Sequence, residues 1–153
     1  IELWKRQFGF TDSELNAFKE INRANFIPQN LRLHSYEDRP LPILRGKTVS
    51  QPTTVMLMTS LLELKPGENV FEVGCGSGYQ SAIISRIVKD KGKVISTEVV
   101  PELVNFARTN LKNAGIENVY VFEGPFCLFP QFCRGRVLRE SMECDMLLQM
   151  GWK

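Results

Sequence analysis

The stretch Asn69-Val-Phe-Glu-Val-Gly-Cys-Gly-Ser-Gly-Tyr79 decides how this chain folds. Apolar residues around the acidic Glu72 predict a buried strand, and a helix-like run over residues 79–88 begins as soon as the glycines end. Glycine lets the backbone pass close to a ligand and adopt a positive φ. The N-terminus of a helix offers unpaired N–H groups. Strand, turn and helix together therefore predict a cradle for a nucleotide.

The spacing of the glycines narrows the class of nucleotide. Turns that bind dinucleotides read G-x-G-x-x-G, whereas the third glycine here comes one residue earlier and is followed by Tyr79. G-x-G-x-G favours S-adenosylmethionine over a nicotinamide cofactor; the alternative is a purely structural turn. The candidate cofactor-binding residues in this stretch are Glu72, Gly74, Gly76, Gly78 and Tyr79.

A second acidic residue supports the same interpretation. Glu98 ends the next apolar segment and lies 20 residues after Gly78, an offset that suits an acidic ligand of a ribose. In an open α/β sheet, ligands bind beyond the carboxyl ends of the strands. We therefore expect Glu98 to accept hydrogen bonds from ribose hydroxyls. The alternative is a Glu at the surface that caps the next helix.

Strands and helices alternate through this part of the chain. The pattern predicts strands over residues 69–73, 94–98 and 118–122, with helices over 79–88 and from 101 to 115. This alternation is typical of parallel βαβ units with right-handed crossovers. The fold class expected is therefore α/β, with a parallel sheet.

The bulk composition restricts the possible partners. The chain has 153 residues, 43% hydrophobic and 24% charged, which is ordinary for one globular domain. A net charge of +2 predicts no strong field for nucleic acid, and the apolar runs are too short to span a membrane. The four cysteines lack metal-ligand spacing, so we expect no metal, reduced thiols and a cytoplasmic location.

The segment before the glycine turn is expected to contain two helices with a loop between them. Asp12 or Ser13 is predicted to cap a helix that stops near Phe26-Ile-Pro28, and a second helix is predicted over residues 53–64. The proline-containing stretch 29–47 between them is predicted to be an irregular loop.

Four motifs, in order and spacing, resemble the protein-L-isoaspartate O-methyltransferase family over about residues 12–124. They are Phe26-Ile-Pro28, Tyr36-Glu-Asp-Arg-Pro-Leu-Pro-Ile43, Gly46-Lys-Thr-Val-Ser-Gln-Pro52 and Glu72-Val-Gly-Cys-Gly-Ser-Gly-Tyr-Gln80. The resemblance implies a Rossmann-like class I methyltransferase sheet with helices on both faces. It also implies one domain: a substrate-loop region (1–64), a cofactor-binding core (65–124) and a divergent tail (125–153).

The same resemblance implies the activity. The enzyme would transfer a methyl group from S-adenosylmethionine to the carboxylate of isoaspartyl residues in damaged proteins or peptides, a protein-repair reaction. Ser50 would be the catalytic hydroxyl; without the resemblance, it would be interpreted as the N-cap of the following helix. Asp38, Pro40 and Leu41 would help to shape the cleft. The substrate-binding residues implied are Pro42, Ile43, Thr48, Val49 and Gln51.

The chain departs from the family pattern after the third strand. The family has Gly-Asp-Gly at this point, whereas this sequence reads Gly124-Pro125-Phe126, and residues 143–149 are only a weak candidate for a fourth strand. A replaced tail, an inactive relative and a second chain that completes the sheet are all compatible with this departure. The protein is therefore expected to be a monomer or an oligomer of that kind. The alternative function is a non-catalytic module that binds S-adenosylmethionine and peptide.

Overall fold

The computed structural model describes residues 2–125 and the backbone strand at residues 136–139. The α-helices are α1 (Glu2–Phe8), α2 (Asp12–Glu20), α3 (Pro52–Leu61), α4 (Tyr79–Val88) and α5 (Pro101–Asn113). The strands are β1 (Leu41–Pro42), β2 (Thr48–Val49), β3 (Asn69–Val73), β4 (Lys93–Glu98), β5 (Val119–Glu123) and β6 (Arg136–Arg139). Short 3-10 helices span Arg23–Phe26, Gln29–His34 and Leu44–Gly46.

The main sheet is parallel and has the strand order β5-β4-β3-β6. The chain runs outward from β3 through β4 to β5 and then returns to the other side of β3. Strand order therefore reverses at β3, and ligands of open α/β sheets bind at such a switch point, beyond the carboxyl ends of the strands. The glycine turn follows β3 and lies at this position. The expected α/β fold with parallel βαβ units is confirmed.

Helices α4 and α5 pack on the same face of the sheet. Ser81 of α4 bonds to Ser96 of β4 on that face. Val121 of β5 is paired in register with Ser96 and lies in one hydrophobic cluster with Leu111 of α5. Two crossovers of the same hand that step in the same direction place their helices on the same face. The opposite face carries Tyr120, which is 45% exposed.

The N-terminal segment packs on this helical layer. Thr11 accepts a hydrogen bond from the N–H of Glu14, and the Glu14 carboxylate accepts one from the N–H of Thr11. The N-cap of α2 is therefore Thr11, one residue before the predicted cap Asp12 and two before the alternative Ser13. The helix ends at Glu20 rather than near residue 28, and its buried face contacts α4.

The stretch 29–47 was predicted to be an irregular loop, but it contains regular secondary structure. After the 3-10 helix at residues 29–34, β1 and β2 form a small antiparallel hairpin in which Leu41 pairs with Val49. Helix α3 then begins at Pro52 and ends at Leu61, whereas the sequence predicted a helix over residues 53–64. One hydrophobic cluster joins this region to α4, α5 and β5, so the substrate-loop region and the core share their packing.

The described tail strand does not lie where the sequence predicted a fourth strand. Strand β6 (residues 136–139) pairs in parallel with β3, Val70 opposite Arg136. The predicted candidate at residues 143–149 lies outside the described residues. No helix among residues 2–125 combines the length and apolarity needed to cross a membrane.

The turn between α4 and β4 gives a first test of the fold. A Cβ on Gly92 would lie 2.5 Å from the carbonyl oxygen of Glu68 and 2.6 Å from Cβ of Val88. Real side chains do not approach that closely, so backbone must move. We expect Gly92→Ala to lower the free energy of unfolding by about 1–3 kcal/mol, measured by urea denaturation. Asp90→Ala, at an exposed position of the same turn, is the matched control; equal stability of the two variants would contradict this packing.

Candidate active site

The glycine turn is held against the end of β4. The N–H groups of Gly74 and Cys75 both donate to the carbonyl oxygen of Thr97, at 2.8 and 3.1 Å. Gly74, Gly76 and Gly78 have φ values of 82, 53 and 81°, which L-residues with side chains rarely adopt. The backbone therefore needs glycine here, and it opens a cradle at the carboxyl end of β3.

Gly78 has a packing role in addition. It is the residue that precedes α4, and a Cβ there would lie 3.3 Å from Cγ of Leu111 and 3.4 Å from Cβ of Ala107. The absence of a side chain lets the N-terminus of α4 approach α5 closely. The unpaired N–H groups of α4 are thereby brought to the switch point of the sheet.

Glu98 lies directly beside the glycine turn. Its Oε2 accepts a hydrogen bond from the N–H of Gly76 at 3.0 Å. Its Oε1 accepts bonds from the N–H groups of Val99 and Val100 at 2.8 and 3.1 Å, where α5 begins. The carboxylate thus connects the glycine turn to the start of α5. Glu98 is buried, with a relative exposure of 7%.

Glu72 lies beneath the turn, on the helical face of the sheet. Its Oε2 accepts hydrogen bonds from the hydroxyls of Ser81 and Ser96, and its Oε1 has no partner within the described part of the chain. Burial raises the pKa of this carboxyl, although the two serine hydrogen bonds act in the opposite direction. A fully buried acid supports the end of β3 rather than facing an open cleft.

The phenol of Tyr79 is directed into the core. Its ring centroid lies 5.7 Å from that of Phe26 and 5.7 Å from Cζ of Arg23. Burial raises the pKa of the Tyr79 hydroxyl. Of the predicted cofactor residues, Tyr79 therefore offers the cradle its backbone at the start of α4, while its side chain packs under the N-terminal segment.

The predicted substrate residues lie on or just after the β1–β2 hairpin. In the β1–β2 hairpin, Leu41 and Val49 point inward and Pro42 and Thr48, which pair with each other, are exposed. Ile43 continues from β1 and places its Cδ1 3.6 Å from where a Cβ on Gly76 would lie. The structure therefore brings the hairpin and the glycine turn into contact.

Ser50 and Gln51 lie between the hairpin and α3, both half-buried. The alternative interpretation of Ser50 as a helix N-cap is wrong, because the N-cap is Gln51 and makes no side-chain bond. The Asp38 carboxylate takes that role instead: it accepts from the N–H and the hydroxyl of Thr53 at 2.9 and 2.7 Å. Ser50 is thereby left without a capping function.

Two further contacts around the site were not predicted. Arg45 forms an ion pair with Glu102, which ties the tip of the hairpin to the first turn of α5. Arg23 is fully buried and donates to the carbonyl oxygen of Ser50 at 2.9 Å. Neither contact has a local sequence signal, since the partners are 57 and 27 residues apart.

The arrangement suits an adenosine cofactor. The glycine cradle, the start of α4 and the carboxylate of Glu98 converge at one edge of the sheet. N–H donors and a carboxylate are the groups that bind a nucleoside with hydroxyls. Within residues that the structure describes, no group of three His, Cys, Asp or Glu side chains could hold a metal ion.

Comparison with known proteins decides the family. The family model described as protein-L-isoaspartate(D-aspartate) O-methyltransferase matches residues 2–125. The chain belongs to this family. A protein-L-isoaspartate O-methyltransferase of Methanopyrus kandleri is 48% identical over 66% of this chain and 45% of its own length. One of Pyrococcus horikoshii is 44% identical over 80% of this chain and 59% of its own length.

Solved structures agree with the family assignment. A protein-L-isoaspartate O-methyltransferase superposes with a TM-score of 0.76 at 31% identity, over 88% of this chain and 44% of that one. A Plasmodium falciparum protein, described as a protein-L-isoaspartate O-methyltransferase in complex with S-adenosyl-L-homocysteine, has a TM-score of 0.69 at 29% identity, over 80% and 60%. The chain spans about half the length of the curated relatives it matches.

Burial of Glu72 predicts a pH dependence of stability. A carboxyl whose pKa is raised on folding binds its proton more tightly in the folded state. Its contribution is complete below the pKa in the unfolded chain, about 4.3, and is lost as pH rises through the folded pKa. We expect Glu72→Gln to raise the Tm at pH 7.5 and to leave it nearly unchanged at pH 4. Thermal denaturation followed by circular dichroism measures both.

The matched control is Glu117→Gln, at an exposed position. It should shift the Tm little at either pH, since surface substitutions usually change stability by less than about 0.5 kcal/mol. A Glu72→Gln variant that is destabilised more at pH 7.5 than at pH 4 would show that the carboxylate is bound as an anion.

Proposed function

We propose that this chain binds S-adenosylmethionine at its glycine turn and methylates the free carboxylate of isoaspartyl residues in damaged proteins or peptides. One observation carries the proposal: the hairpin formed by the Tyr36–Ile43 and Gly46–Pro52 motifs lies beside the glycine turn, with Ile43 next to Gly76. The segments that we propose to hold cofactor and substrate are therefore neighbours in space. The S-adenosyl-L-homocysteine complex of the Plasmodium falciparum relative supports the choice of cofactor.

The residues proposed to hold the cofactor surround the switch point. Gly74, Gly76 and Gly78 would admit it to the backbone, and Glu98 would accept hydrogen bonds from its ribose. Glu72 and Tyr79 would support the turn from below because both side chains are buried. When bound, S-adenosylmethionine supplies a methyl group on a sulfonium, which is electrophilic.

The chemistry required of the protein is mainly alignment. An isoaspartyl carboxylate is already ionised at neutral pH, since carboxyl groups titrate near pH 4, and it needs no general base. The protein must place its oxygen in line with the methyl group and exclude water. Ser50 would donate a hydrogen bond that orients this carboxylate without removing its charge. His34, exposed and paired with Glu37, is not needed as a base.

The hairpin would present the peptide. Pro42 and Thr48 are exposed on its outer surface and could contact the substrate directly. Val49 is buried, so its proposed role is to support the hairpin from below. Gln51 is half-buried beside Ser50 and could reach the same carboxylate from the start of α3. We also infer a single domain in a cytosolic protein, from the shared core and from the spacing of the cysteines.

The second candidate function is a non-catalytic module that binds S-adenosylmethionine and peptide. The observation that favours it is Gly124-Pro125, at the end of β5, where the family has an aspartate. Proline has neither a carboxylate nor a backbone N–H to offer a cofactor. Such a module would retain the cradle and the hairpin while turning over no substrate.

Cofactor binding at the turn is testable with one substitution. Gly76→Val forces a β-branched residue to a φ of 53° and fills the space between the turn and Ile43. We expect the affinity for S-adenosylmethionine to fall at least about tenfold by calorimetry, an amount that corresponds to roughly 1.4 kcal/mol. Gly115→Val, at a φ of 65° with open space around it, is the control for strain alone. Unchanged affinity in Gly76→Val would refute the placement.

The reaction is tested with radiolabelled S-adenosylmethionine and an isoaspartyl peptide beside its aspartyl twin. We expect label on the isoaspartyl peptide alone. Ser50→Ala should lower kcat about tenfold, the scale of one hydrogen bond to a charged group, and should spare cofactor affinity. Cofactor binding without transfer would favour the binding module. Equal turnover by Ser50→Ala would exclude Ser50 as the orienting hydroxyl.

A further inference from the structure

We infer that Arg23 is a positioning residue, which sets the backbone of Ser50 relative to the cofactor turn. The inference rests on the proposed function, because it assigns Arg23 a part in placing the proposed catalytic hydroxyl. Arg23 does not itself reach the cleft, since its side chain is completely buried. It acts through the chain segments that it binds.

The guanidinium of Arg23 joins three separate stretches of backbone. Nη1 donates to the carbonyl oxygen of Ser35, and Nη2 donates to those of Ser50 at 2.9 Å and Arg39 at 3.4 Å. All three carbonyls belong to turns or loops outside the strands and α-helices. A planar fork of donors can hold several acceptors in a defined geometry, which the single ammonium of lysine cannot reproduce.

The same side chain also contacts the cofactor half of the molecule. Cζ of Arg23 lies 5.7 Å from the ring centroid of Tyr79, within the range of a cation–π interaction. Tyr79 is the first residue of α4 and follows Gly78 directly. Arg23 therefore links Ser50 to the helix that begins at the glycine turn. An in-line transfer requires the orienting hydroxyl and the cofactor to keep a fixed relative position.

Packing alone does not explain a buried arginine here. Burial is costly for a cation and lowers the pKa of Arg23, and among residues 2–125 no carboxylate forms an ion pair with it. An apolar side chain of similar volume often fills such a site at no loss of stability. An apolar side chain, however, has no donors for the three loop carbonyls that Arg23 binds.

Asp38 ties the same two segments together from the exposed side. It belongs to the stretch 35–39, whose carbonyls Arg23 binds, and its carboxylate holds the N–H and hydroxyl of Thr53. Ser50 is therefore held at its own carbonyl by Arg23, and the chain three residues later is held at Thr53 by Asp38. Loss of Asp38 should free the start of α3, whereas loss of Arg23 should free the carbonyl of Ser50 itself.

The test compares Arg23→Lys and Arg23→Met with Arg32→Lys, an exposed arginine on the neighbouring 3-10 helix. Each variant is assayed for cofactor affinity by calorimetry and for kcat and KM with the isoaspartyl peptide. We expect Arg23→Lys to lower kcat about tenfold while cofactor affinity stays within about twofold of the parent, the size of a few tenths of a kcal/mol. Arg32→Lys should match the parent. Parallel losses of cofactor affinity and kcat would show a general structural role and overturn the inference.

A double-mutant cycle separates this inference from the proposed function. If Arg23 acts through Ser50, Arg23→Lys should have little further effect on kcat in a Ser50→Ala background. Additive losses would overturn the inference. If Ser50→Ala alone turns over like the parent, the proposed role of Ser50 fails, and Arg23 is judged by hydrogen exchange.

Hydrogen exchange tests the inference even if the chain does not methylate the peptide. We expect Arg23→Lys to speed amide exchange over residues 35–39 and 50–53, and to leave β4 protected as in the parent. If Arg23→Met folds, we expect the same faster exchange over both stretches. If Arg23→Met does not fold, the result for Arg23→Lys alone decides the test. Unchanged exchange over residues 50–53 would show that Arg23 does not hold Ser50.

Discussion

The tight connection from β3 to α4 is the constraint on which the site depends. Two amides of the turn bind one carbonyl of Thr97, and Gly78 leaves α4 room to approach α5. Together they place a strand end, a helix start and the end of β4 within one small volume. The carboxylate of Glu98 completes this edge, because it binds Gly76 on one side and the start of α5 on the other.

The N-terminal segment packs beside this edge of the sheet. Helix α2 packs on α4, the β1–β2 hairpin contacts the glycine turn through Ile43, and the pair Arg45–Glu102 attaches the tip of the hairpin to α5. A parallel sheet alone would bind a cofactor as many α/β proteins do. The hairpin beside the turn is a feature that such a sheet does not supply by itself.

Parts of the site could be predicted because their signals are local. The spacing of the three glycines, the acidic residue at the end of β4 and the Thr-Val-Ser-Gln-Pro element all lie within short windows of sequence. Asp38 was expected to shape the cleft, but its bonds to Thr53 were not predicted. An acceptor fifteen residues before Thr53 leaves no pattern that distinguishes it from the nearer Ser50. Arg23 was missed for the same reason, since it lies between residues with no periodic signal.

By itself, the sequence determined the order of strands and helices over residues 69–123, their parallel pairing and the position of the glycine turn, because hydrophobic periodicity and glycine conformation act over a few residues. The tertiary structure alone decided which face of the sheet α4 and α5 cover, and which side chains point into the core. It placed Arg23 between the carbonyl of Ser50 and the ring of Tyr79, the first residue of α4. Such contacts depend on packing between distant segments, which no local pattern encodes.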